Sequence, residues 1–333
     1  MDFLEFIFPV SGVKTNILIP PLVAMVVSFF TSMGGISGAF LLLPFQMSVL
    51  NYTSPSVSGT NFIYNIVAIP GGVYRYIKEG RMAWPLTWVV IIGTLPGVFI
   101  GYYIRVLYLP DPRTFKLFVG LVLLYIGGRV LYEIIPFRPT LVKGGMGGFS
   151  SKSKMKALEK KFKERAAEIR KQQNSRVASG LPAGAVVKTV SVSLTKIEYE
   201  FWGERFSYSA MGMLALAFIV GIIGGAYGIG GGAIIAPFCV AVFHLPVYTI
   251  AGAALMGTFI TSIAGVIFYS IIPVSSGTPT SPDWLLGFLF GIGGTLGIYL
   301  GARFQKFVPQ RIIKLTIGAL IVFVALKYIV QYF

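Results

Sequence analysis

The sequence is poor in charge and nearly devoid of the residues from which soluble catalytic sites are built. Only 12% of its 333 residues are charged, about half the share of an ordinary soluble domain, and 55% are apolar. A chain of that composition cannot hide its apolar surface from water by folding on itself. One cysteine, Cys239, excludes an intrachain disulfide, a cysteine-rich zinc site and an iron–sulfur cluster within the chain. One histidine, His244, and the lack of a carboxylate pair inside any apolar run leave no catalytic or metal-binding set, so neither an enzyme nor a cofactor is expected. The 12 acidic residues are Asp2, Glu5, Glu79, Asp111, Glu133, Asp283 and six between Glu159 and Glu204, all at segment ends or in loops. Cation carriers and proton pumps commonly depend on intramembrane Asp or Glu, so both classes lose weight. No basic cluster opens the chain, whose first residues include Asp2 and Glu5, and the start does not read as a cleaved secretory signal.

What the sequence has in quantity is apolar runs. Those bounded by Gly, Pro or charge cover roughly 17 to 32, 36 to 50, 56 to 77, 84 to 106 and 114 to 135, then 208 to 226, 229 to 243, 248 to 272, 284 to 303 and 311 to 331. Fifteen of the 28 Lys and Arg residues fall between Arg138 and Arg205, in a linker between the two sets. The formal charge of +16 reads as positive-inside topology rather than nucleic-acid binding, since no basic, aromatic-interleaved folded module lies outside that linker. The expected fold is all-α and integral to the membrane, with the lipid bilayer as its medium, in the plasma (inner) membrane as a multi-pass protein. Its parts are a membrane repeat over 1–137, a basic cytoplasmic linker over 138–206 and a second membrane repeat over 207–333.

The two sets repeat in sequence as well as in number. Gly35-Ile36-Ser37-Gly38-Ala39-Phe40 and the following Leu-Leu-Leu-Pro-Phe align with Gly228-Ile229-Gly230-Gly231-Gly232-Ala233 and Ile-Ile-Ala-Pro-Phe at an offset of 193. Trp84, Gly97 and Gly101 match Trp284, Gly297 and Gly301 at 200, and Arg113, Lys116 and Gly120 match Arg311, Lys314 and Gly318 at 198. Five crossings per half is odd, so two halves of one fold must lie inverted in the membrane. With the linker inside, Arg75, Lys78 and Arg81 and also Arg303, Lys306, Arg311 and Lys314 fall inside, and both termini fall outside. Arg105, Arg113 and Lys116 break the rule by falling outside.

Within the linker, Met155, Leu158, Phe162 and Ile169 recur at helical spacing amid charge, predicting a basic amphipathic helix over Ser151 to Asn174. From Val186 to Phe201, Val190, Val192 and Leu194, then Ile197, Tyr199 and Phe201, alternate with polar residues and predict one or two short strands.

Glycine-rich stretches at Gly34 to Gly38 and Gly228 to Gly232 separate runs of only about 15 to 19 residues, which reach about 22 to 28 Å as helix, marginal for a hydrocarbon core of about 30 Å. That spacing predicts a helical hairpin in each half with its turn at membrane depth. Glycine there lets a ligand approach the backbone, and the second helix starts with free N–H groups and a positive dipole end, an environment suited to an anion. Close helix packing is the alternative use of such glycines, and it is the reading for the Gly97–Gly101 and Gly297–Gly301 pairs, which lack polar neighbours. Asn61 and Asn65 lie one helical turn apart, the repeat sets Asn65 opposite Thr258, and Thr261 and Ser262 follow. With Ser37, Gln46 and Thr60 they form a candidate set of uncharged donors around a central cavity; helix-to-helix hydrogen bonding is the alternative. His244 reads as an interfacial residue, and Arg129 and Lys327 as snorkelling side chains.

The Gly-Ile-Ser-Gly and Gly-Ile-Gly-Gly-Gly boxes, each running into an apolar stretch with Pro-Phe, resemble those of the TauE/SafE sulfite exporter family. The likeness spans both membrane halves and omits the basic linker. It implies a permease of two repeated halves that carries sulfite or organosulfonates such as sulfoacetate. It also implies that Gly35, Ile36, Ser37 and Gly38, with Gly228, Gly230 and Gly231, form the substrate region. The expected activity is export of a small sulfur-containing anion, with an anion channel as the alternative. The identity of the anion, proton coupling, the linker's role and a possible homodimer are left open by the sequence.

Overall fold

Each apolar run becomes helical, with ends close to its flanking Gly, Pro or charge, and one run, 56 to 77, becomes two helices. The computed structural model describes residues 5–34, 37–78, 80–132, 187–193, 195–201, 203–272, 279–304 and 310–333. In the first half α1 (Ile19–Gly34), α2 (Ala39–Ser48), α3 (Ser56–Ala68), α4 (Pro70–Lys78), α5 (Trp84–Tyr103) and α6 (Pro112–Tyr132) follow one another. The second half holds α7 (Ala210–Tyr227), α8 (Gly231–Val242), α9 (Val247–Ile271), α10 (Trp284–Phe304) and α11 (Gln310–Val330). Among the described residues five helical stretches are long and apolar enough to cross a membrane: Trp84–Tyr108, Pro112–Tyr132, Ala210–Tyr227, Thr249–Ile271 and Trp284–Gly301. The helix α2, with 10 residues, and α8, with 12, are too short to cross, since they rise only about 15 and 18 Å. The predicted amphipathic helix over 151–174 lies outside the described residues.

The fold departs from the all-α expectation in two small sheets. The strands β1 (Glu5–Ile7) and β2 (Lys14–Asn16) form a hairpin ahead of α1, with Phe8 and Val13 buried beneath it. Three-residue strands carry too little periodicity to be read from sequence. The second sheet has the order β3 (Lys188–Val192), β4 (Lys196–Phe201), β5 (Glu204–Ser209), all antiparallel, with Ile197 opposite Tyr208 and Tyr199 opposite Phe206. The alternation expected at Ile197, Tyr199 and Phe201 is real, because these three are buried while Lys196 is exposed and Glu198 and Glu200 are half-buried. The sheet is pinned to the bundle where the Tyr199 hydroxyl meets Thr249 Oγ1 at 2.8 Å and Val187 N–H donates to Gly80 O at 3.1 Å. A further departure is the single run 56 to 77, which breaks between Ala68 and Pro70. Proline there has no N–H to donate and its ring clashes with the preceding turn, so a second helix starts at Pro70.

The halves pack by exchange. With α3 and α4 counted as one segment, the first segment of each lies on the fourth of the other, α1 on α10 and α7 on α5; the third-segment helices α3 and α9 lie against α10 and α5; and the fifth segments α6 and α11 pair. Glycine makes the first of these contacts close. A Cβ on Gly93 would sit 2.6 Å from Ala217 Cβ, one on Gly97 2.8 Å from Ile222 N, and one on Gly297 2.9 Å from the Met25 carbonyl carbon. These glycines are packing surfaces, as their lack of polar neighbours suggests, and they let backbones touch where lipid supplies no hydrophobic drive. The opposite faces are apolar stripes every fourth residue: Trp84, Trp88 and Ile92 on α5, and Trp284, Phe288, Ile292 and Leu296 on α10, all exposed. Such an outward apolar face suits lipid and not water. The repeat extends to backbone detail, since Asn51 after α2 and His244 after α8, 193 residues apart, both take φ of 54°.

Candidate substrate site between the two glycine turns

The turn between α7 and α8 exists because two glycines take backbone angles that L side chains rarely adopt. Gly228 ends α7 with φ +88° and its N–H on Gly224 O at 2.9 Å, and Gly230 at φ +76° starts α8 with no side-chain cap. A Cβ on Gly228 would come 2.6 Å from Ser58 Cα, and one on Gly230 2.9 Å from Thr258 Cγ2 and 3.1 Å from Thr261 Oγ1. Gly231 instead abuts Thr94 of α5. In the first turn Gly35 and Ile36 lie outside the described residues. Ser37 Oγ accepts from Ala39 N–H at 3.3 Å at the start of α2. Gly38 has ordinary helical angles and is needed for closeness, since a Cβ there would lie 2.8 Å from Ser28 Oγ and against the Tyr64 hydroxyl.

The helix α3 stands between the two turns and ties them together. Asn61 Nδ2 donates to Ala39 O of the first hairpin at 3.2 Å and to Gly228 O of the second at 3.0 Å. Gln46 Nε2 reaches Asn61 Oδ1 at 3.5 Å. One turn on, Asn65 Nδ2 donates to Ile229 O at 3.1 Å and to Ser262 Oγ at 3.2 Å. Ser58 Oγ donates to Ala226 O at 3.0 Å, and the Tyr227 hydroxyl to Phe40 O at 2.9 Å. Thr258 and Thr261 turn their hydroxyl hydrogens to their own helix, onto Ala254 O at 2.8 Å and Gly257 O at 2.6 Å. The structure thus gathers Gly38, Gln46, Asn61, Asn65, Gly228, Gly230, Thr258, Thr261 and Ser262 around one contact of the two halves.

Thr60 belongs to another network. Its Oγ1 meets the Tyr52 hydroxyl at 2.9 Å and accepts from Asp283 N–H at 2.8 Å. The Asp283 carboxylate caps α10 through Leu286 N–H at 3.1 Å and accepts from Ser11 N–H and Oγ at 3.0 and 2.8 Å, which fastens the β1–β2 hairpin to the bundle. Sequence reasoning placed Asp283 in a loop; its position just before an apolar run was the capping signal.

All polar side chains at the central contact are buried and uncharged: Gln46, Asn61, Asn65, Thr258, Thr261 and Ser262. Two of their oxygens, Gln46 Oε1 and Asn65 Oδ1, are buried without a hydrogen-bond partner. An unmet acceptor of this kind costs about 1–3 kcal/mol, a cost that a hydrogen-bond donor or a turned-over amide relieves. Among the described residues no cluster of three His, Cys, Asp or Glu side chains is present.

The sequence that builds this bundle matches the model of a known family. The model described as sulfite exporter TauE/SafE covers residues 21–328. The chain belongs to the TauE/SafE sulfite exporter family. Among its relatives, "Probable membrane transporter protein YunE" of Bacillus subtilis (strain 168) is 22% identical over 307 residues, which is 90% of this chain and 92% of that protein. "Probable membrane transporter protein YdhB" of the same organism is 28% identical over 109 residues, 32% of this chain and 42% of that one. No solved structure matches the chain. As a TauE/SafE member the protein is a multi-pass membrane transporter.

Proposed function

We propose that the protein is a secondary transporter that exports a small sulfur-containing anion, sulfite or an organosulfonate such as sulfoacetate. In this reading the two halves lie inverted in the plasma membrane and the anion binds where their glycine turns meet. The observation that carries it is the Asn61 amide bonded to a backbone carbonyl of each half, 3.2 Å to Ala39 at the start of α2 and 3.0 Å to Gly228 in the second turn. When the halves part, that amide and the Asn65 amide expose donors, and the start of α8 presents backbone N–H groups beside them. Uncharged donors at a helix start suit an anion that must also be released. The tight seating of Gly228 against Ser58 and of Gly230 against Thr258 and Thr261 fits an occluded carrier better than a continuous pore.

Energy for export needs no carboxylate relay, because a membrane at 100 mV negative inside drives each negative charge outward with about 2.3 kcal/mol. The test is flux of sulfite, sulfoacetate, thiosulfate and sulfate in proteoliposomes at a clamped potential. Saturable flux of at least one of the first two, faster when the potential drives anions out, is the expected result. Flux of none of the four, or unitary conductance steps, overturns the reading.

A further inference from the structure

At the end of the bundle that carries the β1–β2 hairpin, one buried cation has no counter-charge among the described residues. Arg105 sits on the π-helical turn Ile104–Tyr108 and is fully buried. Its guanidinium lies over the Phe115 ring at 3.6 Å, donates through Nη2 to Thr53 O at 3.2 Å and through Nη1 to Leu109 O. No carboxylate among the described residues pairs with it. Asp283 is held by Ser11 and Leu286, and Asp111 caps α6 through Thr114. Its Nε is buried without a partner.

Two carbonyl bonds and a ring face account for a fork, but not for a full charge left uncompensated in a low-dielectric site, which is costly unless something negative visits it. The surroundings supply further polar groups. Tyr52 precedes Thr53, whose carbonyl accepts from the guanidinium. Tyr52 leads through hydrogen bonds of 2.8 and 2.9 Å to Ser56 and Thr60. The Tyr269 hydroxyl donates to Gly225 O at 3.3 Å and Ser58 Oγ to Ala226 O at 3.0 Å, three and two residues before Gly228. Polar side chains of α3 thus extend from the segment that holds Arg105 toward the second glycine turn.

We propose that Arg105 is a second anion-binding station, which takes a sulfite- or sulfonate-type oxyanion at the hairpin end of the path and hands it to or from the central amides. It rests on the reading of the protein as an anion transporter. A guanidinium presents N–H donors in a fork that matches the paired oxygens of such an anion, and its missing bond at Nε is one side of that fork.

The experiment is flux of sulfite and of sulfoacetate by the full chain in proteoliposomes, comparing wild type, Arg105→Gln and Arg105→Lys. Loss of a charge-assisted contact raises the half-saturating concentration of Arg105→Gln about 10- to 100-fold, with the maximal rate within about threefold of wild type. Arg105→Lys keeps the charge but loses the fork, so its half-saturation rises less than that of Arg105→Gln and by no more than about fivefold. A fork that only capped carbonyls would be disabled by both changes alike. An unchanged half-saturation in Arg105→Gln, or an equal loss in both variants, overturns the proposal while leaving the transport reading in place. If Arg105→Gln does not assemble, Arg105→Lys decides by the same fivefold limit. Wild-type protein that moves neither anion overturns both.

Discussion

Asn61 and Asn65 look alike in sequence, yet their surroundings predict opposite costs on removal. Asn61 has both ends engaged, with Nδ2 on Ala39 O and Gly228 O and Oδ1 accepting from Gln46. Leucine in its place removes two interhelical donor bonds, worth about 0.6 to 1.7 kcal/mol each in a membrane protein, so Asn61→Leu should lose about 1–3 kcal/mol. Asn65 makes two bonds as well, to Ile229 O and Ser262 Oγ, but its Oδ1 is buried without a partner. Leucine there gives up a similar pair and also removes an unmet acceptor worth about 1–3 kcal/mol, leaving a net change near zero. The assay is the thermal unfolding midpoint of purified protein in detergent beside flux in proteoliposomes. Asn61→Leu should melt several degrees below wild type. Asn65→Leu should melt within about 2 °C of it, on the usual conversion of stability to midpoint for large domains, and yet lose transport. Equal melting losses in the two variants refute the accounting of partners, and normal flux in Asn65→Leu removes that residue from the site.

Three further predictions test the frame around the site. Gly97→Leu and Gly297→Leu, which drive side chains into the backbones of α7 and α1, should each abolish assembled protein in the membrane, read by monodispersity on size exclusion; normal assembly of either contradicts the contact. Gly230→Ala carries the left-handed penalty of about 1–2 kcal/mol and a close approach to Thr258 besides. Gly12→Ala, at φ +67° with open space around it, carries the penalty alone. Melting should therefore rank wild type, Gly12→Ala, Gly230→Ala, and a reversed order of the variants contradicts the packing. Asp283→Ala removes a helix cap worth about 1 kcal/mol and the anchor of Ser11, so hydrogen exchange should quicken in residues 5–16; an unchanged rate there means the hairpin is held by Phe8 and Val13 without the carboxylate.

Much of this architecture is legible in the sequence because a bilayer imposes one length scale and one polarity rule. Ten apolar runs find their helices, the glycine pairs of α5 and α10 find their contacts, and Ile197, Tyr199 and Phe201 find the buried face of β4. What escapes has a local cause. The break at Pro70 was signalled by Pro-Gly-Gly but lay inside an unbroken apolar run. The strand β5, Glu-Arg-Phe-Ser-Tyr-Ser, alternates in period two and was hidden by the membrane segment that follows it. At the site, the grouping of Asn61, Asn65 and Ser262 follows from helical spacing and the repeat, whereas the bonds to Ala39 O and Gly228 O depend on backbone carbonyls that side-chain patterns do not reveal. Thr60 and Arg105 face networks set by tertiary contacts with Asp283, Thr53 and Phe115, and no spacing rule reaches those.

The account stands on a site between the halves that opens to each side in turn, and labelling of one engineered cysteine tests it most directly. In a Cys239→Ser background, Ser262→Cys places a thiol beside Asn65. A membrane-impermeant maleimide should modify it when applied from either face of the membrane, and saturating sulfoacetate, which unlike sulfite does not add to the maleimide, should protect it from both. A thiol that reacts from neither face while the protein still carries anion, or that reacts without protection, contradicts the site.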